Sequence, residues 1–172
     1  SLPVYIITDS TLVSEFQQVA DPTPESMLNF SIGDGVSCHA MLFGQSFSGH
    51  NSLSGELGHI TVDTQGPKCG CGKRGCLEAY CNGPAICQML LNGIDDHENT
   101  SLNHHCLMNA SARTAMEHVW QAWNQKDHYT RLAMTPILDR IAWGLSLGVN
   151  LIDPDLVRIS GYVMQGRQAW ID

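Results

Sequence analysis

Ser54-Gly55-Glu56-Leu57-Gly58-His59, followed ten residues later by Cys69-Gly70-Cys71-Gly72-Lys73-Arg74-Gly75-Cys76-Leu77-Glu78, is the stretch on which the reading of this chain turns. His59, Cys69, Cys71 and Cys76 offer one imidazole and three thiolates, the donor set of a closed, tetrahedral structural zinc site. A Cys-x-Cys pair reaches one ion only where the backbone turns tightly, and Gly70 and Gly72 permit that turn. Lys68, Lys73 and Arg74 would lower the cost of gathering three thiolates. The spacing alone leaves open a set of free or buried cysteines beside a coincidental histidine. Cys81 competes as a fourth ligand, but it lies beyond Cys76 by more than a helical turn, where packing is the simpler role.

Within the same stretch, Glu56 and His59 stand three apart between glycines in a polar loop. A carboxylate there can accept from two hydroxyls of a polyhydroxylated ligand, and glycine lets that ligand approach the backbone; a solvated Glu-His pair is the plainer reading. Gly33-Asp34-Gly35 reads as a hairpin turn, with phosphate-facing amides as the alternative. Asp9 stands at a strand end before a helix, where open α/β folds place functional residues; an ordinary N-cap explains it equally well. His97, His104 and His105 lie in a polar segment without regular ligand spacing.

The whole chain has 172 residues, 43% of them hydrophobic and 15% charged, which suits one domain, or one domain with part of another, and excludes overall disorder. A formal charge of −8 argues against gripping a nucleic-acid backbone with these residues. No apolar run is long enough for a membrane span. The seven cysteines are an odd number and four of them cluster within 69–81, which points to a metal site in a reducing cytoplasm rather than a disulfide framework. The pattern predicts strands over 4–7, 27–32, 36–43, 59–62 and 156–160. It predicts helices over 9–19, 77–91 with a pause at Asn82-Gly83-Pro84, 111–124 and 129–151, and a loop over 92–105.

In this order the motifs resemble the ROK family (repressor, open reading frame, kinase). The likeness rests on Glu56-Leu57-Gly58-His59 with the Cys69–Glu78 run, and is supported by 4–9, the Gly33 hairpin and Asn150-Leu151-Ile152-Asp153-Pro154. It implies an α/β, actin-like (ribonuclease H-like) fold of two lobes with a sugar in the cleft. Residues 1–22 would then end the amino-terminal lobe, and 23–172 would form a partial carboxyl-terminal lobe with the zinc loop over 59–78. The resemblance makes His59, Cys69, Cys71 and Cys76 the zinc ligands and assigns Asp9, Glu56, His59 and Glu78 to the sugar. In the family's kinases Asp9 would be the general base, with Gly33 and Gly35 on the nucleotide side, and ATP and Mg²⁺ as cofactors.

Departures from the kinase pattern fall on the nucleotide side. The chain is expected to be a partial family protein without the amino-terminal phosphate loop. Val36-Ser37-Cys38-His39 stands where kinases carry further hairpin glycines, Gly161-Tyr162 replaces a Gly-Gly pair, and Thr8 replaces an asparagine. The expectation is a zinc-containing, sugar-sensing region of a family transcriptional regulator of the N-acetylglucosamine-repressor kind. Its effector would be a sugar or sugar phosphate. DNA would be bound by a helix-turn-helix outside these residues, in a cytoplasmic homo-oligomer with no membrane partner. The alternatives are a fragment of an ATP-dependent sugar kinase, and a zinc-stapled interaction module without a ligand.

Overall fold

Apolar residues at alternate positions build the centre of the molecule. The computed structural model describes residues 25–94 and 100–164; the expected strand over 4–7, the helix over 9–19, Asp9 and His97 lie outside them. Strands β1 (Met27–Ile32), β2 (Val36–Leu42), β3 (Gln45–Phe47) and β4 (Leu156–Ser160) form one sheet of order β3-β2-β1-β4. β1 and β2 pair as an antiparallel hairpin, matching Leu28 with Ala40, Phe30 with Cys38 and Ile32 with Val36. These six residues face the helices and belong to the hydrophobic core. Met27, Asn29, His39 and Met41, on the alternate positions, are buried too. Both faces of the hairpin are therefore covered, as a central strand pair requires.

β4 runs parallel to β1, so the chain must cross over between them, and helices make that crossing. They are α1 (Glu78–Cys81), α2 (Gly83–Ile94), α3 (His104–Asn109), α4 (Ala112–Asn124) and α5 (His128–Ile152). The expected pause at Asn82 is a real break: its side chain accepts from the Ala85 amide at 2.8 Å and starts α2 with Pro84 in the first turn. Two expectations fail. The loop over 92–105 is shorter, because α2 runs on to Ile94 and α3 starts at His104 behind an Asn103 cap. The strand over 59–62 is instead a 3₁₀ turn, Leu57–His59, followed by a single bridge between Thr61 and Cys76. The glycines flanking Leu57 favour the turn over an extended ladder.

α5 lies close against the sheet because Gly144 and Gly148 lack side chains there. A Cβ on Gly144 would lie 2.4 Å from Leu77 Cδ2, and one on Gly148 would lie 2.8 Å from Leu28 Cδ2. Two polar tips are satisfied inside the core: Trp120 Nε1 donates to the Val163 carbonyl at 2.8 Å, and the Tyr129 hydroxyl to that of Leu90 at 2.6 Å.

Asp127 fastens the start of α5. Its Oδ1 accepts from the Thr130 amide and hydroxyl, both at 2.8 Å, and its Oδ2 from the Ser101 amide at 2.7 Å. Burial opposes the charge of Asp127, but these donors outweigh it and hold the carboxyl below its ordinary range. A depressed native pKa means that the contribution is complete above the ordinary carboxylate value of ~4 and is lost as pH falls through the native one. Asp127→Ala removes a cap and orphans buried donors, and should cost about 2–4 kcal/mol. Thermal unfolding at neutral pH checks it; the deficit should shrink in acid, where the wild type loses the same interactions.

Candidate functional site

The cysteine loop is shaped by backbone bonds before any side chain acts. The Cys69 amide donates to the Lys73 carbonyl at 2.8 Å and that of Gly72 to Cys69 at 3.0 Å, which closes a tight turn between the sulfur-bearing residues. Leu77 donates back to Ile60 at 2.9 Å, and this fixes the loop beside His59. Gly75, at φ +64°, passes so near the Asp63 carbonyl that a Cβ would lie 1.5 Å from its oxygen. No other residue fits that crossing.

This frame brings the donor atoms of His59, Cys69, Cys71 and Cys76 within 4.8 Å of one another. Cys71 Sγ lies 3.6 Å from Cys76 Sγ, and Cys69 Sγ 3.6 Å from His59 Nδ1. A tetrahedral ion with bonds of ~2.3 Å to sulfur and ~2.0 Å to nitrogen needs about 3.8 Å between sulfurs and about 3.5 Å from sulfur to nitrogen. The four groups therefore fit Zn²⁺ in both chemistry and spacing. Burial, with the neighbouring sulfurs adding to it, pushes the Cys76 thiol up to about 12. The Lys73 amide, donating to Cys71, pulls that thiol down. Three thiolates at this spacing call for a cation between them. The Lys73 charge adds to the lowering at Cys71, as the sequence suggests, and the basic residues also brace the loop: Lys73 Nζ donates to the His59 carbonyl at 2.7 Å and Arg74 to that of Gly66 at 3.1 Å.

Cys81 stays out of the cluster, fully buried with its Sγ directed at the Ile137 carbonyl. His104 and His105 sit on α3 and join no metal-binding group among the described residues.

His59 is flanked by carboxylates. Its Nε2 faces Glu56 Oε2 at 3.8 Å, and its Nδ1 faces Glu78 Oε1 at 3.9 Å. Glu78 Oε2 accepts the Val36 amide at 2.9 Å, tying the carboxylate to the end of the β1–β2 turn. Glu56, His59 and Glu78 thus line one open cleft of about 500 Å³ together with Gly33-Asp34-Gly35, Arg113, Gly161 and Tyr162. A cleft with two carboxylates and an imidazole can bind a ring of hydroxyls.

Tyr162, expected on the nucleotide side with the hairpin, makes contacts there that the sequence did not disclose. Its hydroxyl donates to Asp34 Oδ1 at 2.6 Å across the hairpin tip. Its ring lies against Gly33, where a Cβ would sit 3.4 Å from it, and Arg113 covers it at 5.0 Å. A Cβ on Gly83 would fall 2.3 Å from the hydroxyl, so that glycine makes room for the tyrosine. Burial and the Asp34 charge raise the phenol well above its ordinary value, which keeps it a donor. Gly33 and Gly35 do stand at the cleft, as expected, but with a side chain packed over them. Arg113, at the start of α4, carries no sequence signal that would have placed it here.

The fold has known relatives. A ROK glucokinase from Streptomyces griseus, solved with glucose and AMPPNP, superposes with a TM-score of 0.78 at 21% identity, over 95% of this chain and 55% of that one. The glucokinase of Thermotoga maritima is 29% identical over 134 residues, 78% of this chain and 40% of its own length. The xylose repressor of Bacillus subtilis is 32% identical over 92 residues, 52% of this chain and 24% of the repressor. The chain thus spans about half or less of the length of these relatives. It has their α/β, actin-like architecture, and, with residues 1–170 matching the ROK family, it belongs to that family.

Proposed function

We propose that this chain is the zinc-containing, sugar-sensing region of a ROK transcriptional regulator. The observation that carries this reading is the asymmetry of the cleft. Glu56, His59 and Glu78 are grouped and open to the cleft. At the glycine hairpin, Tyr162 packs over Gly33 and binds Asp34. A triphosphate needs backbone amides and cations at such a turn; here Arg113 supplies one cation, over the Tyr162 ring, but Asp34 presents a carboxylate and Tyr162 fills the approach. His59, Cys69, Cys71 and Cys76 would hold zinc, which orients the His59 ring through Nδ1 and leaves Nε2 toward the cleft.

In this reading a hexose, an N-acetylhexosamine or a phosphate of either binds as effector, and the bound state biases a DNA-binding domain elsewhere in a cytoplasmic protein. No helix among the described residues is long and apolar enough to cross a membrane. The likeness to glucokinases favours a second reading, a sugar kinase with Asp9 as base and ATP and Mg²⁺ as cofactors. The two separate in one assay on the protein carrying this chain, with glucose and N-acetylglucosamine as the sugars. Sugar should raise the melting temperature, while Mg²⁺-ATP leaves it unchanged and no sugar phosphate forms. Sugar-dependent phosphate transfer would overturn the regulator reading.

A further inference from the structure

Of the seven cysteines, Cys71 alone is exposed. It sits between Gly70 and Gly72, and an added Cβ at either would meet nothing within 4 Å, so the space around its sulfur is open on both sides. The other two sulfurs of the cluster are enclosed, Cys69 at 7% exposure and Cys76 at 0%. Cys38, Cys81 and Cys87 are buried in the core. Enclosed sulfurs are inert, whereas an exposed thiolate is the nucleophilic form of cysteine and the one that oxidants reach.

The fold of the loop has already brought a second sulfur to Cys71. The Gly72 amide donates to the Cys69 carbonyl at 3.0 Å, and an antiparallel bridge joins Lys68 to Arg74, so the chain doubles back between residues 71 and 76. Cys76 Sγ stands 3.6 Å from Cys71 Sγ as a result. A disulfide bond is ~2.05 Å long, so the two sulfurs need to close by only about 1.5 Å. An accessible thiolate with a buried partner beside it is the arrangement of an attacking and a resolving cysteine.

We propose that Cys71 is a site of oxidation by hydrogen peroxide, and that Cys76 resolves it as a Cys71–Cys76 disulfide, with release of the zinc. The Cys71 thiolate attacks one peroxide oxygen; the S–O bond forms, the O–O bond breaks, and hydroxide leaves. The Cys76 thiolate then attacks the resulting sulfenic sulfur; the S–S bond forms, the S–O bond breaks, and a second hydroxide leaves. Two thiolates have given up two electrons, and two protons from solvent turn the hydroxides into water. His59 and Cys69 remain, half of the four donors that a closed zinc site needs, so the loop no longer holds its ion. The change reaches the cleft through His59, whose ring stands 3.8 Å from Glu56 and 3.9 Å from Glu78 and loses its tether at Nδ1. This inference rests on the zinc reading of the cluster and is independent of what the cleft binds.

The test is to add millimolar hydrogen peroxide to the zinc-loaded chain, follow released metal with a chromogenic chelator, and map the cysteines by mass spectrometry. The expected result is stoichiometric zinc release with a Cys71–Cys76 disulfide, both reversed by a phosphine reductant and fresh Zn²⁺. Trypsin cuts after Lys73 and Arg74, so the link appears as a joined pair of peptides whose fragments assign the sulfurs. Cys71→His keeps a fourth zinc donor without the thiolate, and should release zinc about tenfold more slowly or less. The wild-type disulfide map decides the question even where that variant fails to load. Zinc that survives the peroxide would overturn the inference, as would zinc lost to sulfinic acids without a disulfide. A link from Cys69 in place of Cys71, or equal release from loaded Cys71→His, would overturn it too. A reduced chain that binds no zinc would end it together with the zinc reading, and metal analysis before the oxidant is added tells that failure from the others.

Discussion

Replacing Cys76 with serine should strip the metal and unfold the loop over 60–77, at a cost on the order of 4 kcal/mol or more. The size follows from what the loop lacks and what it carries. Its backbone makes two isolated bridges and a few turn bonds, and a ladder of regular structure is missing. Ile60, Val62 and Leu77 anchor its ends in the core, and in the zinc reading the ion supplies the free energy that holds the turns between them. The damage also spreads inward. Cys76 and Leu77 are fully buried, and Leu77 is the side chain that Gly144 of α5 receives. A loosened loop therefore disturbs the seat of α5.

Metal content by mass spectrometry and the urea midpoint should fall together in Cys76→Ser. Cys81→Ser is the control: it places a hydroxyl in the core and lowers the midpoint, but it keeps the metal, since Cys81 lies apart from the donors. Stoichiometric zinc with an unchanged midpoint in Cys76→Ser would remove the metal from the account.

How far these features were legible depends on whether the information was local. His59 with three cysteines, the glycines between them, and the hairpin at Gly33-Asp34-Gly35 are written in contiguous residues, and the structure groups them as the spacing implies. The long helices were equally plain, since their apolar periodicity runs over many turns and Ser111 and Asp127 cap them. The strand expected over 59–62 failed because three β-branched residues, Ile60, Thr61 and Val62, suit an edge and a turn alike. What decided between them was the pair of glycines around Leu57 together with the crossing at Gly75, some fifteen residues away. Arg113 was illegible, and only the family resemblance set Tyr162 on the side of the hairpin. Tyr162 lies 128 residues from Asp34, and only the parallel pairing of β4 with β1 brings them together. No periodicity or motif encodes that meeting.

Glu78 offers the sharpest test of the sugar reading, because one side chain performs two separable tasks. Its Oε2 accepts the Val36 amide at 2.9 Å and so holds the hairpin against the cleft, while Oε1 lies toward His59. If this carboxylate also accepts ligand hydroxyls, removing it loses charge-assisted hydrogen bonds worth ~1.5–3 kcal/mol each. Glu78→Ala should then weaken sugar binding about a hundredfold or more. Glu78→Gln retains an acceptor for Val36 but loses the charge, and should fall between alanine and wild type. Glu56→Ala should cost less, about tenfold, since that side chain is 54% exposed and competes with water for the same hydroxyls. All three should keep their zinc, because none of these carboxylates is needed to complete a four-coordinate site. Isothermal titration with the stabilising sugar, beside metal analysis of the same samples, separates the outcomes. Parallel loss of sugar and zinc would make Glu78 a support of the loop rather than a ligand-binding group. Unchanged affinity in Glu78→Ala would place the sugar elsewhere and leave the cleft without its assigned ligand.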